Sequence, residues 1–256
     1  MAKDYAIVLT THMEIDAQLI TKVTDYQPSR DRLAGVRDVP LLFLVGTSGA
    51  GKNTLMREIL QNYSDQYHEF ITHTTRAPRM NHGIMEQNHV EYHFIDLETA
   101  AEMLDDKDYI EANFFSGNIY GTSLTEMELA KQEHKIVIGD IDVNGVANFV
   151  KLGLKVRPVF VLPPSYDVWQ QRLLQRYDGN EIDRSDWQRR IVTAKHELEH
   201  VLEADYYYLV INDDLGATTQ VINAIAHDQP VEQRPKAALA VIRDMIEQVN
   251  REILEG

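Results

Sequence analysis

Short apolar runs alternate with amphipathic stretches through the middle of the chain. Apolar runs occupy Leu41–Val45, residues 136–142 and Val156–Leu162, and they have the length and composition of buried strands. Amphipathic stretches with helical spacing lie at 55–60 and 123–134. Because strands that alternate with helices form parallel sheets covered by helices, this pattern predicts an α/β fold with a parallel central sheet flanked by helices.

Weaker patterns complete the expected set of elements. Further strands are expected at 70–75, 92–95 and 206–211, and further helices at 98–104, 166–177 and 186–203. Before residue 40, a short strand is expected at 5–9 and a short helix at 15–23. The stretch 28–39 contains Pro, Gly and alternating charges, and it is predicted to be a polar connector.

The C-terminal segment has a helical pattern of its own. Residues 235–254 carry an apolar stripe with a spacing of three to four residues: Leu239, Ile242, Ile246, Val249 and Ile253. The stripe predicts an amphipathic helix within 227–256 that docks on the rest of the chain or on a second subunit. It is too short for a long coiled coil.

Composition narrows the class of protein. The chain has 256 residues, of which 44% are apolar and 25% charged, as in ordinary globular proteins. It has no run of about 18 apolar residues, so no transmembrane helix is expected, and its N-terminus does not resemble a signal peptide. The absence of cysteine excludes disulfides, zinc–thiolate sites and thiol catalysis, and it fits a cytoplasmic location. The net charge of −15 argues against nucleic acid or anionic membranes as partners, so any bound phosphate must be held by clustered Arg and Lys.

A glycine-rich loop follows the first apolar run and precedes a helical pattern. The loop comprises Gly46, Thr47, Ser48, Gly49, Ala50, Gly51, Lys52, Asn53 and Thr54. Glycines allow the backbone to curl so that successive N–H groups point inward, and the helix N-terminus adds partial positive charge. With a lysine that reaches the outer phosphates, this arrangement predicts a P-loop that binds a nucleotide. Asn53 departs from the pattern, because Ser or Thr usually occupies this position and contacts Mg²⁺.

Other charged residues also suggest phosphate chemistry. Arg76 and Arg79 are three residues apart beside a predicted strand end, and two such arginines can form bidentate bonds to a phosphate dianion. The stretch 164–204 contains five arginines and only one lysine, and its arginines either bind phosphate or form ion pairs along exposed helices. Asp140 lies at a predicted strand end, where an acid either holds Mg²⁺ through water or caps a turn.

Five motifs follow one another along the chain: Gly46 to Lys52, Thr74-Thr75-Arg76-x-Pro78-Arg79, Ser116-Gly117-Asn118-x-Tyr120-Gly121, Asp140-Ile141-Asp142-x-x-Gly145 and Asn212-Asp213-Asp214. In their order and rough spacing they resemble the guanylate kinase family. The resemblance covers about 40–226 and implies a core, a nucleoside-monophosphate-binding insertion at about 72–121 and a helical lid at about 164–204. The extensions 1–39 and 227–256 lie outside it.

The resemblance implies which residues bind the acceptor, GMP. Arg76, Arg79, Tyr92 and Tyr120 match the family residues that hold its phosphate, and Thr72, Glu111 and Asp142 match those that read guanine. Guanine presents donors at N1 and N2, which carboxylates accept. A further family glutamate matches Glu86 when residues are counted back from Tyr92, and it matches His82 when they are counted forward from Arg79; Glu86 is preferred.

The resemblance also implies the donor site and the reaction, ATP + GMP = ADP + GDP with Mg²⁺. Lys52 and the arginines Arg79, Arg172, Arg176 and Arg190 are the implied catalytic residues, because cationic donors stabilise charge on the transferred phosphoryl group. The glycine-rich loop would bind ATP, with Asn212 near its adenine. Asn53 and Asp140 are the implied metal-site residues.

Three alternatives remain open at this point. Some guanylate kinase-like domains have lost catalysis and bind proteins, and the Asn53 departure favours this reading. A related kinase could phosphorylate a different phosphorylated acceptor. Residues 80–89 depart from the pattern of the family, which keeps this second alternative open. The terminal extensions are also candidates for homo-oligomer formation.

Overall fold

The computed structural model describes residues 17–81, 84–175 and 184–255. These residues form two compact units. The first unit contains the described residues up to Leu33 together with Ile71–Thr125, and the second contains Ala34–Phe70 together with the described residues from Glu126 onward. The expected strand at 5–9, His82 and Arg176 lie outside the described residues.

The second unit is built on a five-stranded parallel sheet, which confirms the predicted fold class. Its strands are β1 (Leu41–Val45), β2 (Tyr67–Glu69), β9 (Ile136–Asp140), β10 (Val156–Leu162) and β11 (Tyr208–Ile211). The strand order is β11-β10-β1-β9-β2, and every neighbouring pair is parallel. Because β1 is central and fully buried, the loop that follows it begins at the middle of the sheet edge.

Helices accompany this sheet. They are α2 (Arg30–Val36), α3 (Lys52–Asn62), α5 (Leu124–Gln132), α6 (Val143–Lys151), α7 (Tyr166–Leu174), α8 (Arg184–Glu203), α9 (Leu215–Ala226) and α10 (Lys236–Glu255). Leu55 and Ile59 of α3 and Ile222 of α9 pack in one core with strand residues such as Leu42 and Val161. Across the described ranges, no helix combines the length and the apolar character needed to cross a membrane.

The C-terminal helix α10 docks on the second unit, where it contacts α7, α8, β10 and β11. Its buried face consists of Ala238, Ile242, Met245 and Val249. The expected stripe was therefore wrong in part, because Ile253 is 42% exposed. The stripe's spacing fits a helix, but the buried face is turned by one residue, because Ala238 and Met245 are buried whereas Leu239 and Ile246 are half-buried.

The first unit contains a small mixed sheet and two helices. Its strands are β3 (His73–Thr74), β6 (His93–Phe94), β7 (Tyr109–Phe115) and β8 (Asn118–Ser123), and the pair β4 (Met80–Asn81) and β5 (Ile84–Met85) forms a separate hairpin. The helices are α1 (Ala17–Thr24) and α4 (Leu97–Asp105). Helix α1 packs against β7 and α4, and the Tyr26 hydroxyl donates to the Tyr109 carbonyl at 2.7 Å.

Two sequence expectations about the elements were wrong. The expected strand at 70–75 is not continuous, because β2 ends at Glu69 in the parallel sheet and β3 begins at His73 in the mixed sheet. One strand cannot keep its register in two sheets, so the chain breaks its pairing between them. The polar connector expected at 28–39 contains α2, whose residues Leu33 and Val36 are buried despite the neighbouring charges.

Candidate nucleotide-binding sites

The glycine-rich loop has the backbone geometry that a phosphate cradle requires. Gly46, Gly49 and Gly51 have φ values of 137°, 90° and 97°, a region that favours glycine. A Cβ on Gly46 would lie 2.4 Å from the Val161 carbonyl oxygen, and a Cβ on Gly51 would lie 2.3 Å from Asn212 Nδ2. The loop therefore tolerates no side chain at these two positions, and its path depends on β10 and on the segment after β11.

Lys52 begins α3 directly after this loop. Its Nζ donates to the Gly46 carbonyl at 2.7 Å and lies 3.8 Å from Asp140 Oδ1, so the side chain folds back over the loop. The N-cap residue Gly51 provides no side-chain acceptor for the first turn of α3. An anion at this helix N-terminus would meet both unpaired backbone N–H groups and the Lys52 ammonium.

Two of the predicted arginines contact the loop. Arg172 on α7 donates to the carbonyl oxygens of Ala50 at 3.4 Å and of Asn212 at 3.1 Å. Arg190 on α8 donates to Ser48 Oγ at 3.0 Å and pairs with Asp186 at 2.8 Å. The ion-pair alternative for the arginine-rich helices is thus also present, since Asp186 binds Arg190 and the more exposed Arg189.

A cleft of about 360 Å³ adjoins the loop. Its lining residues are Gly49, Gly51, Thr54, Arg172, Asn212, Asp213 and Leu215. Asn212 is buried, and its Nδ2 donates to the Ala50 carbonyl at 2.9 Å. An apolar Leu215 beside polar groups suits a nucleobase.

Asp140 is the last residue of β9 and Asp142 lies two residues later, and the two carboxylates differ in their contacts. Asp140 ends β9 beside Lys52, whereas Asp142 caps α6 by accepting from the Gly145 N–H at 2.7 Å. Capping, which was the structural alternative for Asp140, is therefore the observed role of Asp142. Asn53 is exposed in the first turn of α3.

Two residues near the loop were missed by the sequence reasoning. Trp169 Nε1 donates to the Ser48 carbonyl at 2.7 Å, and its position one helical turn before Arg172 was the available signal. Glu197 on α8 has a buried Oε2 that finds no hydrogen-bond partner among the described residues. Burial raises the pKa of Glu197 to about 7; nearby Lys52 opposes this shift, and the carboxylates after β9 add to it. Glu197 lies seven residues after Arg190, on the same helical face.

The first unit gathers four of the predicted acceptor residues into one cluster. The Arg76 guanidinium binds Glu86 through two hydrogen bonds, of 2.8 Å and 3.1 Å, and both side chains are 7% exposed. Arg76 also lies 5.1 Å from the centre of the Tyr92 ring, and the Tyr120 hydroxyl is a further hydrogen-bond partner. Glu86 was preferred over His82 for the family glutamate when residues were counted back from Tyr92. In the structure Glu86 directly contacts Arg76, the predicted phosphate-binding arginine.

Arg79 differs from Arg76 in its surroundings. The Arg79 backbone N–H donates to Glu86 at 2.8 Å, while the Arg79 side chain is exposed. The pKa of the Glu86 carboxyl is lowered first by Arg76 and then by this backbone N–H, and burial opposes the shift. Glu86 therefore orients Arg76 and fixes the backbone from which the Arg79 side chain extends.

Thr72 and Glu111 also lie in the first unit, and both are half-buried. The Thr72 carbonyl accepts from the His93 N–H at 3.0 Å, and Glu111 on β7 is opposite Thr122 on β8. Glu111 sits beyond an irregularity in the strand register that begins at Tyr109.

A parallel sheet, a glycine-rich loop after its central strand and arginines directed at that loop define a P-loop kinase of the nucleoside monophosphate type. The comparison with known families agrees, because the guanylate kinase model matches residues 39–229. The chain belongs to the guanylate kinase family.

Individual relatives support this assignment. The guanylate kinase of Sus scrofa is 37% identical over 171 residues, which cover 67% of this chain and 83% of the relative. The guanylate kinase of Homo sapiens is 33% identical over 196 residues, which cover 76% and 96%. The crystal structure of guanylate kinase from Anaplasma phagocytophilum has a TM-score of 0.53 at 22% identity and covers 83% of this chain and 95% of that one, which supports the fold.

Proposed function

We propose that the protein phosphorylates GMP with ATP, giving GDP and ADP. An oxygen of the GMP phosphate forms a bond to the γ-phosphorus of ATP, and the bond from that phosphorus to the β-phosphate oxygen breaks. The observation that best supports this proposal is that Lys52 folds over the glycine-rich loop, in a chain that belongs to the guanylate kinase family. No side chain needs to form a covalent intermediate, so catalysis rests on positioning and on charge stabilisation.

On the donor side, the loop N–H groups and Lys52 would hold the β- and γ-phosphates of ATP. Arg172 and Arg190 contact the loop, which supports a role for both in stabilising charge on the transferred group. The cleft lined by Asn212 and Leu215 would take the adenine. The role predicted for Arg176 stays a prediction.

On the acceptor side, Arg79 and Arg76 would bind the GMP phosphate. The exposed Arg79 would supply most of the net charge, because Glu86 already neutralises Arg76. Tyr92 and Tyr120 would add hydroxyl donors. Thr72, Glu111 and Asp142 would read guanine, since carboxylates accept from the N1 and N2 donors of guanine, which adenine lacks.

The oxygen donors after β9 and in α3 suit Mg²⁺, which we propose as the metal. Asp140 presents a carboxylate beside Lys52, and Asn53 presents an amide oxygen near the start of α3. Among the described residues, no three acidic, histidine or cysteine side chains converge on a metal position. Mg²⁺ usually keeps several waters and binds through one or two protein oxygens plus substrate phosphates, so this sparse donor set fits it. When bound, the ion would neutralise charge on the phosphates.

The testing experiment measures ADP formation from Mg-ATP with GMP, AMP, UMP, CMP or no acceptor, for the wild type and for Lys52→Ala. We expect turnover that depends on GMP and falls at least a hundredfold in the variant. Turnover with another acceptor instead would favour the different-acceptor kinase. GMP binding without any turnover would overturn the kinase reading and favour a binding module, the alternative that the Asn53 departure supports.

Two further expectations stay predictions. One is the cytoplasmic location. The other is self-association through the terminal extensions, which light scattering after size exclusion would measure.

A further inference from the structure

The last turn of α10 contacts two helices of the second unit through one carboxylate. Glu252 accepts hydrogen bonds from the Tyr166 hydroxyl at the start of α7 and from the Trp187 Nε1–H near the start of α8. Glu252 lies beyond residues 39–229, which match the guanylate kinase model. The contact is therefore supplied by the C-terminal extension, for which the sequence suggested no chemistry.

One helical turn further along each of these helices, a side chain holds the same residue of the glycine-rich loop. Trp169, three residues after Tyr166, donates to the Ser48 carbonyl at 2.7 Å. Arg190, three residues after Trp187, donates to Ser48 Oγ at 3.0 Å. Residues three apart lie on one face of a helix, so each helix presents one contact to Glu252 and one to Ser48 on the same side.

We propose that Glu252 is a positioning residue for the nucleotide site, because it holds the two helices that fix Ser48 in the glycine-rich loop. The proposal extends the proposed function. Its predictions for turnover rest on that function, whereas its predictions for nucleotide binding can be tested without it. The contacts form a closed circuit that runs from Glu252 through α7 to Ser48 and returns through α8.

The chemistry of each link suits a rigid circuit. A carboxylate that accepts from two donors forms charge-assisted hydrogen bonds, which are stronger than neutral ones. Burial raises the pKa of Tyr166, and its bond to Glu252 adds to the shift, so the hydroxyl keeps its proton and remains a donor at neutral pH. The Tyr166 and Trp169 ring centres are 5.5 Å apart, which links the two contacts on α7 by direct packing.

Three variants separate the links of the circuit. Glu252→Gln keeps the size of the side chain but leaves one oxygen acceptor for two donors. Tyr166→Phe and Trp187→Phe each remove one donor. The matched control is Glu247→Gln, the same change on the same helix at an exposed position that pairs with Arg251. The fold should survive in all of them, because the apolar face of α10 remains buried.

The main measurement is the dissociation constant of Mg-ADP by isothermal titration calorimetry, well below the melting temperature given by circular dichroism. We expect about tenfold weaker binding for Glu252→Gln, since it loses one charge-assisted hydrogen bond, and wild-type binding for the control. In turnover assays KM for ATP should rise by a similar factor, with a smaller change in kcat. Trp169 and Trp187 are the only two tryptophans, so intrinsic fluorescence reports directly on the circuit.

Glu252→Gln and the Tyr166→Phe/Trp187→Phe double variant should be non-additive when combined, because the double variant has already removed both donors that Glu252 binds. Unchanged Mg-ADP binding in Glu252→Gln would overturn the proposal, as would equal weakening in the control. Strict additivity in the triple variant, which combines Glu252→Gln with Tyr166→Phe and Trp187→Phe, would overturn it as well. If Glu252→Gln fails to fold, the Tyr166→Phe/Trp187→Phe double variant applies the same criterion with the carboxylate intact. A wild type that binds Mg-ADP but does not phosphorylate GMP would contradict the proposed function and still allow this test.

Discussion

Replacing Glu86 with glutamine tests whether the Arg76–Glu86 pair organises the predicted acceptor site. Glutamine has the same size but carries no charge, and it offers one acceptor oxygen where glutamate offers a separate oxygen to each guanidinium nitrogen. In the structure both nitrogens donate to Glu86, which also accepts the Arg79 backbone N–H. The substitution therefore weakens three hydrogen bonds while leaving the Arg76 charge in place.

The magnitude follows from burial. Both side chains are 7% exposed, and removing one partner of a buried ion pair costs about 3–5 kcal/mol when the other charge is left uncompensated. Arg76 retains its bond to the Ala77 carbonyl at 2.8 Å and its position over the Tyr92 ring, and glutamine keeps one acceptor. We therefore expect a loss of about 2 kcal/mol in the free energy of unfolding of the first unit.

The effect should depend on pH with a definite sign. Arg76 holds the pKa of Glu86 below its ordinary value, so the ionised form of Glu86 is more stable in the folded protein than in the unfolded chain. This stability is fully present above the unfolded pKa of about 4.3 and is lost as pH falls through the folded pKa. The difference between wild type and Glu86→Gln should thus be constant from about pH 8 to about pH 5 and shrink below that range.

Urea unfolding followed by far-UV circular dichroism measures the loss of stability. Amide hydrogen exchange on β3 and β8 measures it in the first unit, which contains Arg76 and Glu86. Tryptophan fluorescence would not, since both tryptophans lie in the second unit. Glu98→Gln, at an exposed position on α4, is the control. A loss below about 0.5 kcal/mol, or one that persists unchanged at about pH 3, would refute the reasoning about this pair.

Three further substitutions test other parts of the structure. Gly46→Ala should weaken Mg-ADP binding at least tenfold in calorimetry, because its Cβ would lie 2.4 Å from the Val161 carbonyl at a φ of 137°; wild-type affinity would contradict the cradle geometry. His68, whose pKa is raised first by its bond to Glu126, stabilises the fold below its unfolded pKa, so the deficit of His68→Gln in urea unfolding should be largest at about pH 6 and vanish as pH rises. Glu197, with a pKa raised to about 7, destabilises the fold once ionised; Glu197→Gln should therefore exceed wild-type stability at about pH 8 by up to about 3 kcal/mol, and an equal gain at about pH 4 would exclude this cause.

Local patterns predicted the sheet and the loop. The strand Leu41–Val45, the glycines after it and Lys52 are contiguous in sequence. One stretch of sequence therefore contains the glycines that shape the loop and the lysine expected to contact phosphate. The boundaries of α2 and β3 could not be predicted in this way. Val36 is buried only because tertiary packing covers a short helix that begins among charged residues.

Contacts between distant residues were beyond reach of a single sequence. Trp169 meets Ser48 across 121 positions, and Glu252 meets Tyr166 across 86. The sequence shows the helical spacing of Glu197 but not its burial, because burial depends on how other elements pack against α8. The elements predicted best are therefore those that are determined by neighbours along the chain.

The charges of the predicted sites explain how a strongly acidic chain can bind phosphates. Three predicted phosphate-binding cations each have a carboxylate partner in the structure: Lys52 with Asp140, Arg76 with Glu86 and Arg190 with Asp186. Each carboxylate lowers the cost of holding a partly buried cation and fixes its orientation before any nucleotide arrives. The net field at such a site is small, so affinity must come from the geometry of N–H groups and oriented cations rather than from long-range attraction. For this reason a residue that fixes the orientation of a cation, such as Glu86 in the first unit, should affect nucleotide binding although it is itself an anion.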